Sequence, residues 1–328
     1  MTTLLPCTPD GISQAAELLR EGGLVAFPTE TVYGLGANAL DPQAVARIFA
    51  AKGRPANNPL IVHIFEPAQA WKLALPSQEQ QLLLEKLSCF WPGPLSLVLP
   101  ARSIVPREVT AGQDSVALRM PDHPIALALL RAAGVPIAAP SANPSNYISP
   151  TSAQQVVQQL DGKVDAVLDG GACSVGLEST VLSLLEPEPV LLRPGAITLE
   201  QLSLVLGPMR FSTHASLPLS PGMLPIHYAP RSKLILRAQL TESPCNPYSL
   251  VLFKEIDRQH PLIAQAAKVS LLSKDGNLSE IAHKLFATLY EHDQLGLGSI
   301  VCDTCPEQGL GMAIMDRLRR AAASNSTK

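Results

Sequence analysis

Five short segments concentrate residue types that can do chemistry. In Lys52-Gly53-Arg54-Pro55-Ala56-Asn57-Asn58-Pro59-Leu60 two cations stand two positions apart, where glycine and proline forbid continued helix. In extended backbone such residues point the same way, so Lys52 and Arg54 can face one ligand, and neighbouring cations suit a polyphosphate. The macrodipole also favours a lysine in the last turn of a helix, so Lys52 alone defines nothing. A GxxxxGK followed by Ser or Thr is absent from the chain, so an ATP site here must be assembled from separate cations and amides. Pro28-Thr29-Glu30-Thr31-Val32-Tyr33-Gly34-Leu35-Gly36 offers two hydroxyls, an acid and glycines that admit close approach to a ligand. Ser141-Ala142-Asn143-Pro144-Ser145-Asn146, continuing to Ser149-Pro150-Thr151, is a run of small polar side chains suited to phosphate or ribose. A cap accounts for Thr151 but not for the whole run. Gly176-Leu177-Glu178-Ser179-Thr180-Val181 and Leu192-Arg193-Pro194-Gly195 complete the set. His63 in LIVHI and Arg119 in SVALRMP sit inside apolar runs, where the default readings are a half-buried histidine and a surface ion pair. No Ser-His-Asp or paired-carboxylate arrangement is evident.

The elements that must position these segments follow from periodicity. Residues 10 to about 206 alternate amphipathic helical patterns with short apolar runs, the pattern of an α/β domain. Asp10 can cap a first helix ended by Gly22-Gly23, and Asp41-Pro42 opens a second that runs to about Ala51. Helices are also expected near Ser77 to Phe90, His123 to Ala132 and Thr151 to Leu160. Strands are expected at Leu24 to Phe27, Leu60 to Ile64, Leu95 to Leu99, Val116 to Arg119, Ile137 to Ala139, Ala166 to Leu168, Val181 to Leu184 and Val190 to Leu192. Several polar segments therefore fall just beyond a strand's carboxyl end, where open α/β sheets collect ligands. Prolines crowd residues 207–232, which read as an ordered but irregular linker. Alternation resumes at 233–328, with strands at Leu234 to Leu236, Leu250 to Phe253, Val269 to Leu272 and Ser299 to Cys302 and helices near Leu278 to Tyr290 and Gly311 to Ala322. This predicts a small second α/β domain.

Composition bounds the function. A chain of 328 residues is long enough for two domains, and 46% hydrophobic with 16% charged residues describes a globular protein. The net charge of −3, without a run of Lys and Arg, argues against direct nucleic-acid binding but leaves a small anionic ligand open. Six scattered cysteines and the start MTTLLPCTPD, which has no signal-peptide pattern, point to the reducing cytoplasm. No apolar stretch approaches the ~20 residues of a membrane-spanning helix. Cys302-Asp303-Thr304-Cys305 is a single CxxC without a second ligand pair and reads as structural rather than as a redox or zinc site.

Taken in order, PTETVYGLG, KGRPANNPL, SANPSNYISPT, GLESTV and LLRPG resemble the signature of the threonylcarbamoyl-AMP synthase family over residues 10–200. SPGMLPIHYAP and GLGMAIMDRLRRAA resemble its long form, which carries an extra C-terminal domain. The resemblance implies a twisted, open mixed α/β sheet with helices around a concave, positively charged cavity, spanning 1–206. It implies a Pro-rich linker or lid at 207–232 and a small Rossmann-like domain at 233–328. Carried over by motif, Arg54, Asn58, Ser115, Ser141, Ser149 and Arg193 contact ATP, and Lys52 and Asn143 join them at the phosphates, with Lys52 and Arg54 catalytic. Thr31, His63, Arg119, the Ala139 backbone and Ser179 surround L-threonine, and Tyr228 reaches over the nucleotide as part of the lid. Asn146 stands where the family often has glycine, a substitution that left-handed backbone tolerates. Leu224-Pro225-Ile226 replaces a commonly basic and aromatic triplet.

The implied reaction joins ATP, L-threonine and bicarbonate or CO2 into threonylcarbamoyl-AMP with release of pyrophosphate. Mg2+ would be held by the ATP phosphates. The downstream partner would be the transferase complex that modifies adenosine 37 of ANN-decoding tRNAs. Two other readings stay open at this point. A carbamoyl-transfer domain of hydrogenase maturation type would be expected to carry acylphosphatase-like and zinc-finger segments. An RNA-binding or ribosome-assembly module would be expected to carry a basic face.

Overall fold

The computed structural model describes residues 1–211, 227–240, 242–244, 246–257 and 259–323. They divide into two units: Met1–Ser145, Pro150–Ser174 and the chain from Glu178 form the first, and Asn146–Ser149, Val175–Leu177 and the C-terminal part form the second. Most of the expected linker, residues 212–226 with Leu224-Pro225-Ile226, lies outside the described residues.

The first unit is built on eleven strands: β1 (Thr3–Pro6), β2 (Val25–Phe27), β3 (Gly34–Asn38), β4 (Ile61–His63), β5 (Leu95–Pro100), β6 (Ser115–Arg119), β7 (Ile137–Ala138), β8 (Ala166–Asp169), β9 (Thr180–Ser183), β10 (Val190–Arg193) and β11 (Arg210–Phe211). Their order is β1-β8-β2-β3-β7-β4-β6-β5-β9-β10-β11, with parallel and antiparallel neighbours mixed. This is the mixed α/β sheet expected from the sequence. Asp41 caps the helix Pro42–Lys52 by accepting from the amides of Gln43 and Ala44, as expected. Two other caps differ by a residue or two. Thr8, not Asp10, caps Pro9–Arg20, because its extended backbone aims its hydroxyl at the Gly11 amide. Ser152, not Thr151, caps Ala153–Leu160, while Thr151 bonds Gln155.

Residues two apart on a strand, and partners across a ladder, share a face. One face of this sheet carries Val25, Phe27, Ile137 and Ala139, which pack with Ala15, Leu19, Leu129 and Leu130 of the helices Pro9–Arg20 and Pro124–Ala133. Farther along that face the row becomes His63, Arg119 and Ser96, in register on β4, β6 and β5. The next row, Ile61, Ala117 and Val98, forms a second apolar cluster with Val181, Val190 and Leu192. Polar side chains thus stand at one border of an apolar floor.

The second unit has four parallel strands, β12 (Lys233–Leu236), β13 (Tyr248–Leu252), β14 (Lys268–Leu271) and β15 (Ser299–Cys302), in the order β12-β15-β13-β14. Its long helices are Leu278–Asp293 and Leu310–Ala323. Tyr248, Leu250, Leu252 and Val301 form its core with Leu262.

Candidate functional site

The loop after β2 returns directly into β3, making a hairpin whose connection, residues 28–33, is almost wholly buried. The loop after β7 is stitched to it. Ala142 donates its amide to the Tyr33 carbonyl at 2.8 Å, Leu35 to the Pro140 carbonyl at 2.8 Å, and Gly34 bridges Ser141. The hydroxyl-rich PTET and SAN segments, far apart in sequence, therefore form one structure.

Lys52 ends its helix beneath that structure. Its Nζ donates to the carbonyls of Ser141, at 2.5 Å, and Asn143. Extended backbone is not what brings Lys52 and Arg54 together, contrary to expectation. Gly53 terminates the helix in the left-handed region at φ 60°, and the reversal keeps the two cations near each other. Burial, with the Arg54 charge second, pushes the Lys52 amine well below its ordinary value. Arg54 donates to the carbonyls of Asn58 (3.1 Å) and Pro59 (3.0 Å), closing the 54–59 turn around itself.

A second cluster lies on the polar row. Arg119 is not at the surface: its NH2 stands 2.6 Å from Glu30 Oε1, and both side chains are more than nine-tenths buried. His63 is fully buried, edge-on to Phe27 at 5.9 Å. Burial, reinforced by Arg119, pushes its pKa down to about 3, so it is a neutral imidazole. Thr31 shares a 2.8 Å hydroxyl contact with Thr29. The Ala139 amide is committed to the Ile61 carbonyl at 2.9 Å.

Ser179 and Arg193 meet at the start of β9 and the end of β10. Arg193 donates through Nε and NH2 to the Ser179 carbonyl and through NH2 to its hydroxyl at 3.1 Å. Gly195 permits this, because a Cβ there would lie 2.3 Å from the Thr180 amide nitrogen. Ser96 Oγ is 2.8 Å from Ser179 Oγ. When Ser96 donates to Ser179, the buried Ser96 hydroxyl is satisfied, Ser179 has accepted two bonds, and its own proton is directed elsewhere, as a donor.

The structure thus brings together Lys52, Arg54, Asn58, Ser141 and Asn143 in one cluster and Thr31, His63, Arg119 and Ser179 with Arg193 in another. Ala139 joins them through the β7 loop. Ser115 stands at the opposite end of β6 from Arg119, on the same face, ~13 Å away at the usual strand rise. Ser149 and Tyr228 belong to the second unit. There Tyr228, at φ 63°, stacks on Phe286 at 5.5 Å with the Arg317 guanidinium 5.3 Å from its ring. Asn146 adopts φ 65°, the left-handed turn expected of it. Cys302 is fully buried, and among the described residues no group of three or more His, Cys, Asp or Glu side chains could hold a metal. Sequence reasoning missed Glu30 as the partner of Arg119 and Ser96 as the partner of Ser179.

Fold and site define a class: an α/β protein whose sheet carries a buried border of fixed cations, hydroxyls and a neutral imidazole. Residues 17–195 match the family model described as "Telomere recombination", and residues 197–323 match that of the "Threonylcarbamoyl-AMP synthase, C-terminal domain". The threonylcarbamoyl-AMP synthase of Bacillus subtilis strain 168 is 45% identical over 95% of this chain and 92% of its own length. That of Pyrococcus abyssi is 46% identical over 94% and 93%. A crystal structure of P. abyssi Sua5 complexed with L-threonine superposes with a TM-score of 0.88 at 41% identity, covering 98% of this chain and 97% of that one. The chain belongs to the threonylcarbamoyl-AMP synthase family. No helix among the described residues is long and apolar enough to cross a membrane.

Proposed function

We propose that this chain condenses L-threonine, bicarbonate or CO2 and ATP into threonylcarbamoyl-AMP and pyrophosphate. The product would supply the threonylcarbamoyl group that a downstream transferase complex places on adenosine 37 of ANN-decoding tRNAs. The observation that carries this reading is that one stitched pair of loops meets a buried cation cluster, through the bonds of Lys52 to the Ser141 and Asn143 carbonyls, and a separate buried Arg119, His63 and Ser179 cluster, through the Glu30–Arg119 pair. One suits a polyphosphate and the other an amino acid. The P. abyssi complex with L-threonine supports the second assignment.

In this reading the threonine carboxylate takes Arg119, and the neutral His63, Thr31 and Ser179 hydrogen-bond its polar groups. Once the ammonium has lost one proton to solvent, and the amine has added CO2 and lost a second proton to solvent, a carbamate oxygen attacks the α-phosphorus. The bond from that phosphorus to the bridging oxygen breaks, and pyrophosphate leaves with the electron pair. The nucleophile is already anionic, so no protein base is needed at attack. Catalysis is positioning and charge stabilisation. Arg54 and Arg193 supply fixed charge, with Asn58, Ser115, Ser141, Ser149 and Asn143 assigned to the nucleotide by motif position. Lys52 holds the Ser141 and Asn143 carbonyls and adds charge as a polyphosphate raises its proton affinity. Tyr228 is assigned to a lid by motif.

A hard cation fits the reaction by neutralising phosphate charge. The Glu30 carboxylate is engaged by Arg119, so Mg2+ would take its oxygen ligands from the phosphates. The reading is tested by pyrophosphate release from the pure protein. Release should require ATP, threonine and bicarbonate together, and release independent of threonine would contradict it.

A further inference from the structure

The C-terminal unit contains a cleft of about 670 Å3 that the proposed reaction does not use. Its walls include residues beyond the carboxyl ends of all four parallel strands: Arg237 directly after β12, Phe253 and Lys254 directly after β13, Asp275 and Gly276 in the loop that follows β14, and Asp303 to Cys305 directly after β15. The chain leaves β13 toward its neighbour β14, whereas the helix Leu310–Ala323 that follows β15 packs against β12 on the other side. The crevice between β13 and β15 is therefore a switch point, the place where open parallel sheets bind ligands. The volume lies within the ~300–1,000 Å3 of small-molecule sites.

The lining specifies the ligand's chemistry. Asp303 is a strut, accepting from Arg237 NH1 at 2.8 Å and from the Phe253 amide at 3.0 Å, so it fixes three strand ends and orients the guanidinium. Lys254 is exposed and makes no hydrogen bond or ion pair among the described residues. Asp275, held at 2.9 Å by the Ser273 hydroxyl, keeps a carboxylate at the rim. Phe253, Leu278 and Ile281 give an apolar wall. Burial pushes the Cys305 thiol up to about 11, away from a reactive thiolate. No GxGxxG follows any of these strands, which disfavours a dinucleotide.

We propose that this cleft binds a ribonucleoside monophosphate: the phosphate at Arg237 and Lys254, the ribose diol at Asp275, the base against Phe253, Leu278 and Ile281. The test is equilibrium dialysis of the full chain with AMP, using Arg54→Ala to cripple the proposed catalytic nucleotide site. Arg54→Ala should still bind one AMP per chain, with slowed hydrogen exchange in peptides covering residues 274–282 and 303–309. Adding Lys254→Glu should weaken that binding at least ~10-fold, as expected for reversing a phosphate-pairing charge. Adenosine or inorganic phosphate alone should bind at least ~10-fold more weakly than AMP. Lys254→Glu by itself should keep its adenylate-forming activity. A folded Arg54→Ala that binds no AMP, binding indifferent to Lys254→Glu, or protection outside those peptides would each overturn the proposal. Loss of pyrophosphate release in Arg54→Ala tests the reaction separately.

Discussion

Replacing Glu30 by glutamine removes the negative partner of Arg119 while keeping the side chain's shape. The pair is 2.6 Å apart and both members are buried, at 7% and 5% side-chain exposure, so the guanidinium is left uncompensated away from water. Breaking a buried pair in this way costs about 3–5 kcal/mol, and a domain of roughly 200 residues loses ~2–4 °C of melting temperature per kcal/mol. Glu30→Gln should therefore melt ~6–20 °C below wild type by differential scanning calorimetry. The same deficit makes the variant more responsive to a carboxylate ligand. Saturating threonine should raise its melting temperature more than it raises that of the wild type, because the substrate carboxylate supplies the missing charge. The double variant Glu30→Gln with Arg119→Gln should regain part of the stability and lose the threonine response. If Glu30→Gln melts within ~2 °C of wild type, or if threonine stabilises both proteins equally, Arg119 is not the buried carboxylate-binding cation described here.

Arg54→Ala should lower turnover at least ~100-fold, because a lost preorganised charge costs on the order of 3 kcal/mol of transition-state stabilisation. A normally folded variant with near-normal adenylate formation would remove Arg54 from the site. Ser96→Ala should raise KM for threonine with little change in KM for ATP, since it leaves Ser179 free to turn its proton away from the substrate; an equal rise in both would refute that. Serine should be a poor substrate and valine a worse one, as a site that hydrogen-bonds a hydroxyl can reject the isostere lacking it by up to ~10⁴-fold against ~10–200-fold for a lost methyl. Valine outperforming serine in kcat/KM would contradict it. His63 has a folded pKa of about 3 against an ordinary 6.5, so it favours folding fully above pH ~6.5 and loses that stability as pH falls toward 3. Urea unfolding at pH 7 and pH 5 should show a pH-dependent loss about 2 kcal/mol smaller in His63→Gln than in wild type. An unchanged loss would mean that His63 is protonated in the fold.

Much of the scaffold is legible in the sequence because local rules decide it. Asp41-Pro42 announces a capped helix, and the apolar runs Leu24 to Phe27, Leu60 to Ile64 and Val116 to Arg119 each contain a buried strand. Strand β3 is not legible: Gly34-Leu35-Gly36-Ala37-Asn38 has little intrinsic strand preference and becomes a strand because β2 and β7 flank it. Ser96 is hidden for the opposite reason, since LSLVLP reads as core throughout. Its role arises only where β5 lies beside β6 and β9, which places it against Ser179. Glu30 and Arg119 are likewise joined by topology, not by spacing. The motif segments stand out by their glycine, proline and small polar residues, although Gly34 to Gly36, Thr180-Val181 and Leu192-Arg193 lie in strands. What they do together depends on the backbone bonds between residues 28–35 and 140–142.

Double labelling shows directly whether one active site unites threonine, bicarbonate and the α-phosphate of ATP. The purified chain is incubated with radiolabelled bicarbonate, α-phosphate-labelled ATP, Mg2+ and threonine, and the products are separated under conditions that preserve an adenylate. One threonine-dependent product carrying both labels in equal amounts should form, together with one pyrophosphate. Labelled adenylate without the bicarbonate carbon, or a doubly labelled product formed without threonine, would contradict it.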